Sequence, residues 1–206
     1  MIVSAVILAA GLSTRFPGNK LVTEVELDSI RAPLIHHTIR KFVESRVFDS
    51  IVVVVGHEKE RVINAVGFES VAFVVNRRYM DGMSSSVKVG VAAVMPYSDI
   101  VAVHPGDLPF IKPTTLRNLI SVAFTLTSGS DFIVIPRYVR TGKGGHPLVI
   151  SKGLLRHVLE IGEETKGLKG FLRKFSNYIV YVPTEDVGTL ADVDTPQDLA
   201  RITSTK

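Results

Sequence analysis

Short runs dense in valine and isoleucine recur along the chain, at residues 2–8, 51–55, 71–75, 100–103, 132–135 and 179–182. Within each run the apolar character is continuous rather than alternating. Both faces of the strand it predicts must therefore be covered, as in a parallel sheet lying under helices. Between the runs the spacing becomes helical. Pro33 suits a first helical turn, and Ile35, Ile39, Phe42 and Val43 then share one face. Pro113 opens another helix, with Leu116, Leu119, Ile120 and Ala123 as its stripe, and residues 84–95 predict a third, short and rich in small side chains. Strand and helix alternating in this way predict an α/β fold: a doubly wound, mostly parallel sheet with helices on both faces, in a single domain over residues 1–206.

Two segments interrupt the alternation. Residues 137–147 make a glycine-rich turn that leads into a short strand at 148–150, and residues 162–170 are polar and glycine-spaced, predicting a loop and a short helix. Both have the character of insertions that line a substrate cleft.

Composition narrows the classes. A chain of 206 residues, 46% hydrophobic and 21% charged, can build a core without staples and is neither disordered nor of low complexity. No apolar run reaches the ~18 residues that a membrane span needs. The first run is stopped by Gly11, Ser13, Thr14 and Arg15 and has no basic segment before it, so it reads as a buried strand and not a signal peptide. The absence of cysteine excludes disulfides, a thiolate zinc site and a cysteine nucleophile, and the cytoplasm is the expected location. A net charge of +4 suits a protein that handles small phosphorylated anions. No basic run of five or more appears, and 7% aromatics without tryptophan offer few stacking platforms, so neither nucleic acid nor a membrane is expected as a partner.

Five segments carry possible chemistry. The first strand runs into Leu8-Ala9-Ala10-Gly11-Leu12-Ser13-Thr14-Arg15-Phe16-Pro17-Gly18-Asn19-Lys20. Small residues at the carboxyl edge of a sheet let backbone N–H groups approach a ligand, and Arg15 and Lys20 add two mobile cations. The spacing is that of neither a P-loop nor a dinucleotide fingerprint. An ordinary strand-to-helix turn with solvated charges would read the same way. Next, His104-Pro105-Gly106-Asp107-Leu108-Pro109 projects a carboxylate from a strand end, too far upstream to cap the helix at Pro113, and one such carboxylate is a natural partner for Mg²⁺. His104 itself reads as a packed, hydrogen-bonded side chain. In Asp192-Val193-Asp194-Thr195-Pro196-Gln197-Asp198-Leu199, Asp194 or Thr195 caps a helix opened by Pro196, which accounts for the pattern. Asp194 gains a metal role only through the need for a second carboxylate beside Asp107. Gly82-Met83-Ser84-Ser85-Ser86 opens the small-residue helix, and its serines and free N–H groups predict an anion site or a polar wall. Finally, Gly144-Gly145-His146-Pro147 has an unusual backbone path that leaves His146 as a substrate contact.

Together these segments resemble the molybdenum cofactor cytidylyltransferase branch of the nucleotidyltransferase superfamily. The family pattern L-A-A-G-x-S-x-R-M-G-x-x-K is met by residues 8–20, with Phe16 for Met and the glycine displaced to Gly18. G-M-x-x-S follows as Gly82–Ser86, D-M-P as Asp107-Leu108-Pro109, G-H-P as Gly145-His146-Pro147, and D-x-D-T-P-x-D-L as residues 192–199. The order is collinear over nearly the whole chain. Two stretches depart from it. Residues 162–170 stand where the family has G-D-x-G-A-R, and residues 28–33 are a poor copy of the usual Gly-Lys-Pro.

The resemblance implies a Rossmann-like nucleotidyltransferase fold and transfer of CMP from CTP to the phosphate of molybdopterin, with release of pyrophosphate. It implies that Leu8, Ala9, Ala10, Gly11, Arg15 and Lys20 bind the nucleotide, and that Arg15, Lys20 and Asp107 are catalytic. Asp107 and Asp194 would hold Mg²⁺, and Gly82, Met83, Ser84, Ser85, Ser86, Gly145, His146 and Pro147 would face the acceptor. Guanylyl-transferring relatives carry L-A-G-G in the first loop, so Ala10 implies CTP. A molybdoenzyme that receives the product is a further implied partner. Two alternatives stay open: transfer from GTP or another NTP to a sugar phosphate or other phosphorylated acceptor, and a non-catalytic chaperone that binds the molybdenum cofactor.

Overall fold

The computed structural model describes residues 1–14, 16–195, 197 and 198. The chain opens with β1 (Val3–Ala9), followed by a hairpin of β2 (Glu24–Leu27) and β3 (Ile30–Pro33). Then come α1 (Leu34–Ser45), β4 (Ser50–Val55), α2 (Lys59–Val66), β5 (Ala72–Val75) and α3 (Met83–Val94). The second half runs β6 (Ile100–Pro105), α4 (Pro113–Leu126), β7 (Ile133–Tyr138), β8 (Leu148–Ser151), α5 (Lys152–Val158), α6 (Gly167–Lys174) and β9 (Ile179–Thr184).

Seven strands form one sheet in the order β5-β4-β1-β6-β8-β7-β9. Only β8 runs antiparallel to its neighbours, so the expected mostly parallel α/β architecture is what the chain adopts. The continuous apolar runs have a direct cause. On β1, Ala5 and Ile7 face a layer with Ile35, Ile39 and Phe42 of α1 and Val62 of α2. Val6, one residue along, faces Val87 and Val91 of α3 on the other side, in a layer that also takes in Leu154 of α5 and Phe171 of α6. α4 covers the far end of the first face, where Leu119, Ile120 and Ala123 meet Ile100, Ala102 and Val134. Gly90 lets α3 come this close, because a Cβ there would collide with Val6 Cγ1 and Val54 Cγ2.

The stripes expected on α1 and α4 are buried as the spacing required, apart from the half-buried Val43. Three elements go beyond the sequence reading. The β2–β3 hairpin closes through Asp28 and Ser29, both left-handed (φ 53° and 62°), where the usual signal is Asn-Gly. Arg40 and Lys41 of α1 both bind the Asp28 carboxylate and hold that turn. The short α2 and α5 were hidden by their length, since one or two helical turns carry little periodicity. Among the described residues no helix is long and apolar enough to cross a membrane.

The topology locates the site. From β1 the chain moves outward through β4 and β5, then returns to place β6 on the opposite side of β1. The loops leaving the carboxyl ends of β1 and β6 therefore diverge, and the crevice they open is where ligands bind in sheets of this kind.

Candidate active site

A cavity of about 620 Å³ lies at that divergence. The loop after β1 supplies Ala10, Gly11, Leu12, Ser13, Thr14 and Lys20 to its wall, and the loop after β6 supplies Asp107 and Leu108. Gly144, Gly145 and His146 close one side, and Thr189, Leu190, Asp192 and Asp194 close another.

Lys20 reaches the centre because the loop behind it is tied down. The Asn19 side chain accepts from Leu21 N at 3.1 Å and starts a single 3-10 turn, while the Lys20 amide donates to Ser13 Oγ at 3.3 Å. The ammonium then sits between two carboxylates, with Nζ 2.6 Å from Asp107 Oδ2 and 3.0 Å from Asp194 Oδ1. All three side chains are mostly buried, at 13%, 21% and 23% exposure for Lys20, Asp107 and Asp194. Burial works to lower the Lys20 pKa, but the charges and hydrogen bonds of Asp107 and then Asp194 outweigh it, and the net shift is upward. The lysine is a fixed cation at neutral pH. Asp192, on the same wall, has its pKa raised by burial and by the negative charge of Asp194 and Asp107.

The segment carrying Asp192 and Asp194 is held from three sides. Val193 N donates to Asp107 O at 3.0 Å, and His146 N donates to Thr189 O at 2.9 Å. Behind them the buried Asp186 carboxylate accepts from Lys112 N (2.8 Å), Thr115 Oγ1 (2.7 Å) and Gly188 N (3.0 Å), so one side chain ties the start of α4 to the segment. Gly145 is the counterpart on the other strand, since a Cβ there would strike the Thr189 carbonyl. Under the Asp107 loop two imidazoles meet at 6.3 Å. His104 is fully buried, its Nε2 paired with Leu108 O at 3.1 Å, and burial, reinforced by His146, pushes its pKa down to about 3. Burial also lowers the His146 pKa, against the opposing pull of Asp107. Both rings are neutral at pH 7.

The residues singled out from sequence separate clearly. Leu8, Ala10, Gly11, Lys20, Asp107, Asp194, Gly82, Met83, Ser86, Gly145 and His146 all reach the cavity. Ala9 does not: it ends β1 with its methyl in the core beside Ile35 and Val55. Pro147 is buried behind His146 and is also off the wall. Ser84 and Ser85 turn instead to a smaller neighbouring cavity of about 280 Å³. There Glu163 accepts from Ser84 Oγ at 2.8 Å and Ser84 N at 3.3 Å, so the start of α3 already has its anion. Asn76 donates to the hydroxyls of Ser85 (2.8 Å) and Ser86 (3.0 Å). Gly82 permits this, with φ 92° and a Cβ position that would meet Glu163 Oε1 at 2.6 Å. Arg15 and Pro196 lie outside the described residues. The cap expected from Thr195 is present, its Oγ1 accepting from Asp198 N at 3.3 Å, and the Asp198 carboxylate accepts in return from Asp194 N (3.1 Å) and Thr195 N (2.7 Å). Asp192 was passed over for Asp194 within one motif, and Asp186 had only the local signal of its turn to Gly188 N, because its other partners, Lys112 and Thr115, lie more than 70 residues away.

The donor set can be tested for a divalent cation. Asp107 and Asp194 converge on one point from different loops, and that point already holds a positive charge. Two hard carboxylate oxygens beside an open cavity fit Mg²⁺, which takes one or two protein carboxylates and completes its shell with water and phosphate. Among the described residues no cluster of three or more such ligands forms an all-protein metal cage.

An α/β sheet of this order, with a lysine and two aspartates at the switch point, is of the class that binds its ligands in that crevice. The chain belongs to the MobA-like NTP transferase domain family, which it matches over residues 5–178. Among curated proteins it is 32% identical over 115 residues to the bifunctional protein GlmU of Hydrogenobaculum sp., covering 56% of this chain and 24% of that one. It is also 32% identical over 126 residues to 2-C-methyl-D-erythritol 4-phosphate cytidylyltransferase of Lachnoclostridium phytofermentans, covering 58% and 51%. The chain thus spans about a quarter to a half of the length of these relatives. In fold it is similar to Rv0371c of Mycobacterium tuberculosis (TM-score 0.81, 24% identity, 98% and 97% covered), which is also known in complex with manganese. A further fold neighbour is molybdopterin-guanine dinucleotide biosynthesis protein A of Archaeoglobus fulgidus (TM-score 0.66, 20% identity, 98% and 100% covered).

Proposed function

We propose that this protein transfers CMP from CTP to the phosphate of a molybdopterin-type acceptor and releases pyrophosphate. The observation that carries the reading is the Lys20 ammonium held between Asp107 and Asp194 on the wall of the cavity where the β1 and β6 loops diverge. The cytidylyltransferase among the relatives supports the choice of nucleotide, and the collinear motifs support the choice of acceptor.

In this reading a phosphate oxygen of the acceptor attacks the α-phosphorus of CTP in line. A new oxygen–phosphorus bond forms, the bond from the α-phosphorus to the bridging oxygen breaks, and pyrophosphate leaves with that electron pair. No protein nucleophile is needed, so positioning and charge neutralisation carry the rate. Lys20 supplies a cation fixed by burial and pairing. Arg15, from the same loop, supplies the second. Gly11 leaves the loop backbone open to the triphosphate, since among the described residues beyond its chain neighbours no atom lies within 4 Å of where a Cβ would stand. Asp107 and Asp194 would hold Mg²⁺, which offsets phosphate charge when bound. Gly82, Met83, Gly145 and His146 form the remaining walls and face the acceptor.

One observation favours a second reading. The Lachnoclostridium relative is named for a polyol phosphate, so another phosphorylated acceptor, served by CTP or another NTP, is the alternative. Pyrophosphate release across the four NTPs, with molybdopterin, with a polyol phosphate and with neither, tests both. Release with CTP that requires molybdopterin is the expected result. Release that requires the polyol phosphate would move the protein to the second reading. No release with any pair would leave cofactor binding without catalysis.

A further inference from the structure

Lys20 stands where two different demands collide. Its Nζ occupies the point on which Asp107 Oδ2 (2.6 Å) and Asp194 Oδ1 (3.0 Å) converge. A divalent cation held by the same two carboxylates needs those oxygens at about 2.0–2.1 Å, and its charge repels an ammonium in the same gap. Both cannot occupy the gap together. The Lys20 amide is held by Ser13 Oγ, while its side chain is tied through the ammonium to the two carboxylates, so its four-carbon stem can swing without moving the loop once they release it. Once displaced, the ammonium finds among the described wall residues only Asp192 as another counter-charge, and burial and the neighbouring aspartates work against that charge. A triphosphate supplies several negative oxygens in that cavity.

We propose that Lys20 is a built-in counter-ion that keeps a bare divalent cation off the Asp107–Asp194 pair and yields the pair only when a polyphosphate takes over its ammonium. Binding of metal and nucleotide is thereby coupled, because neither partner meets a fully favourable site until the other arrives. The inference rests on the reading that these two aspartates hold the cation. It adds a role for Lys20 that precedes any chemistry.

Equilibrium dialysis of Mn²⁺ against the whole chain, with and without inorganic triphosphate, is the test. Without triphosphate, Lys20→Gln is expected to bind Mn²⁺ at least tenfold more tightly than the wild type, while Lys20→Arg, which keeps the charge, stays weak. Triphosphate is expected to bring the wild type to tight binding. Lys20→Met repeats the measurement if the glutamine variant does not fold. Equal Mn²⁺ affinity of wild type and Lys20→Gln without triphosphate would overturn the counter-ion role and leave the proposed function standing. Absence of Mn²⁺ binding in every arm would remove Asp107 and Asp194 as the metal pair, and the inference with them.

Discussion

Two turns of this chain look alike in sequence and behave differently in space. Residues 10–20, after β1, and residues 82–86, at the start of α3, are both small, glycine-containing and rich in hydroxyls, and both promise N–H groups for an anion. The first opens onto the large cavity and delivers Lys20 to two carboxylates. The second is already satisfied, because Glu163 fills the α3 start and Asn76 takes the serine hydroxyls. The difference is one of electrostatic completion. A helix N-terminus that has found a carboxylate of its own chain has little left to offer a ligand, whereas a partly filled charge cluster beside open space does.

That contrast can be broken by substitution. Asp107→Ala is expected to cost at least ~10³-fold in nucleotidyl transfer, about 4 kcal/mol, because it removes one side of the Lys20 cluster. Its melting should stay cooperative, since the contact it loses is a polar one at the cavity wall. Full activity, or a collapsed melting transition, would remove Asp107 from the reacting site. Lys20→Ala should slow transfer by about 10²-fold, roughly 2.7 kcal/mol, in kcat as well as kcat/KM. An effect confined to KM would make the lysine a binding group only.

The support beneath the Asp107 loop has its own signature. His104 is held neutral, with a pKa near 3 against 6.5 for an ordinary histidine. As pH falls below 6.5 the unfolded chain takes up the proton first, so the stabilisation present at neutral pH is lost progressively between pH 6.5 and 3. The slope from this group is on the order of 1.4 kcal/mol per pH unit. Melting followed from pH 7 to 4 should be visibly flatter in His104→Gln, and parallel curves would reject the assignment.

Smaller effects sharpen the comparison further. Ala10 is 2% exposed yet contributes to the cavity wall. If its methyl limits the base, Ala10→Gly shifts the CTP/GTP ratio of kcat/KM toward GTP by about 1–3 kcal/mol, and an unchanged ratio removes that steric reason. In the second turn, Glu163→Ala should cost only about 1 kcal/mol of stability through the lost cap, with transfer within a few-fold of the wild type. A loss of transfer as large as that of Lys20→Ala would mean that the two turns are not so different after all.

Much of this architecture is legible in the order of residues alone. Continuous apolar runs require a sheet covered on both faces, and the stripes of α1 and α4 follow from period alone, because burial of every third or fourth side chain is a local property. Lys20, Asp107 and Asp194 stand out as residue types in the loops that follow strands. Their meeting does not, since it joins positions 20, 107 and 194 across three loops. Nor does any local pattern reveal that Asp186 ties the Asp194 segment to α4, that Glu163 occupies the start of α3, or that Ala9 faces inward while Ala10 reaches the cavity. Periodicity and turn chemistry act over a few residues, so sequence carries them openly. Charge pairing and satisfaction of a helix end depend on which distant group arrives within about 3 Å, and that is a consequence of packing the whole sheet.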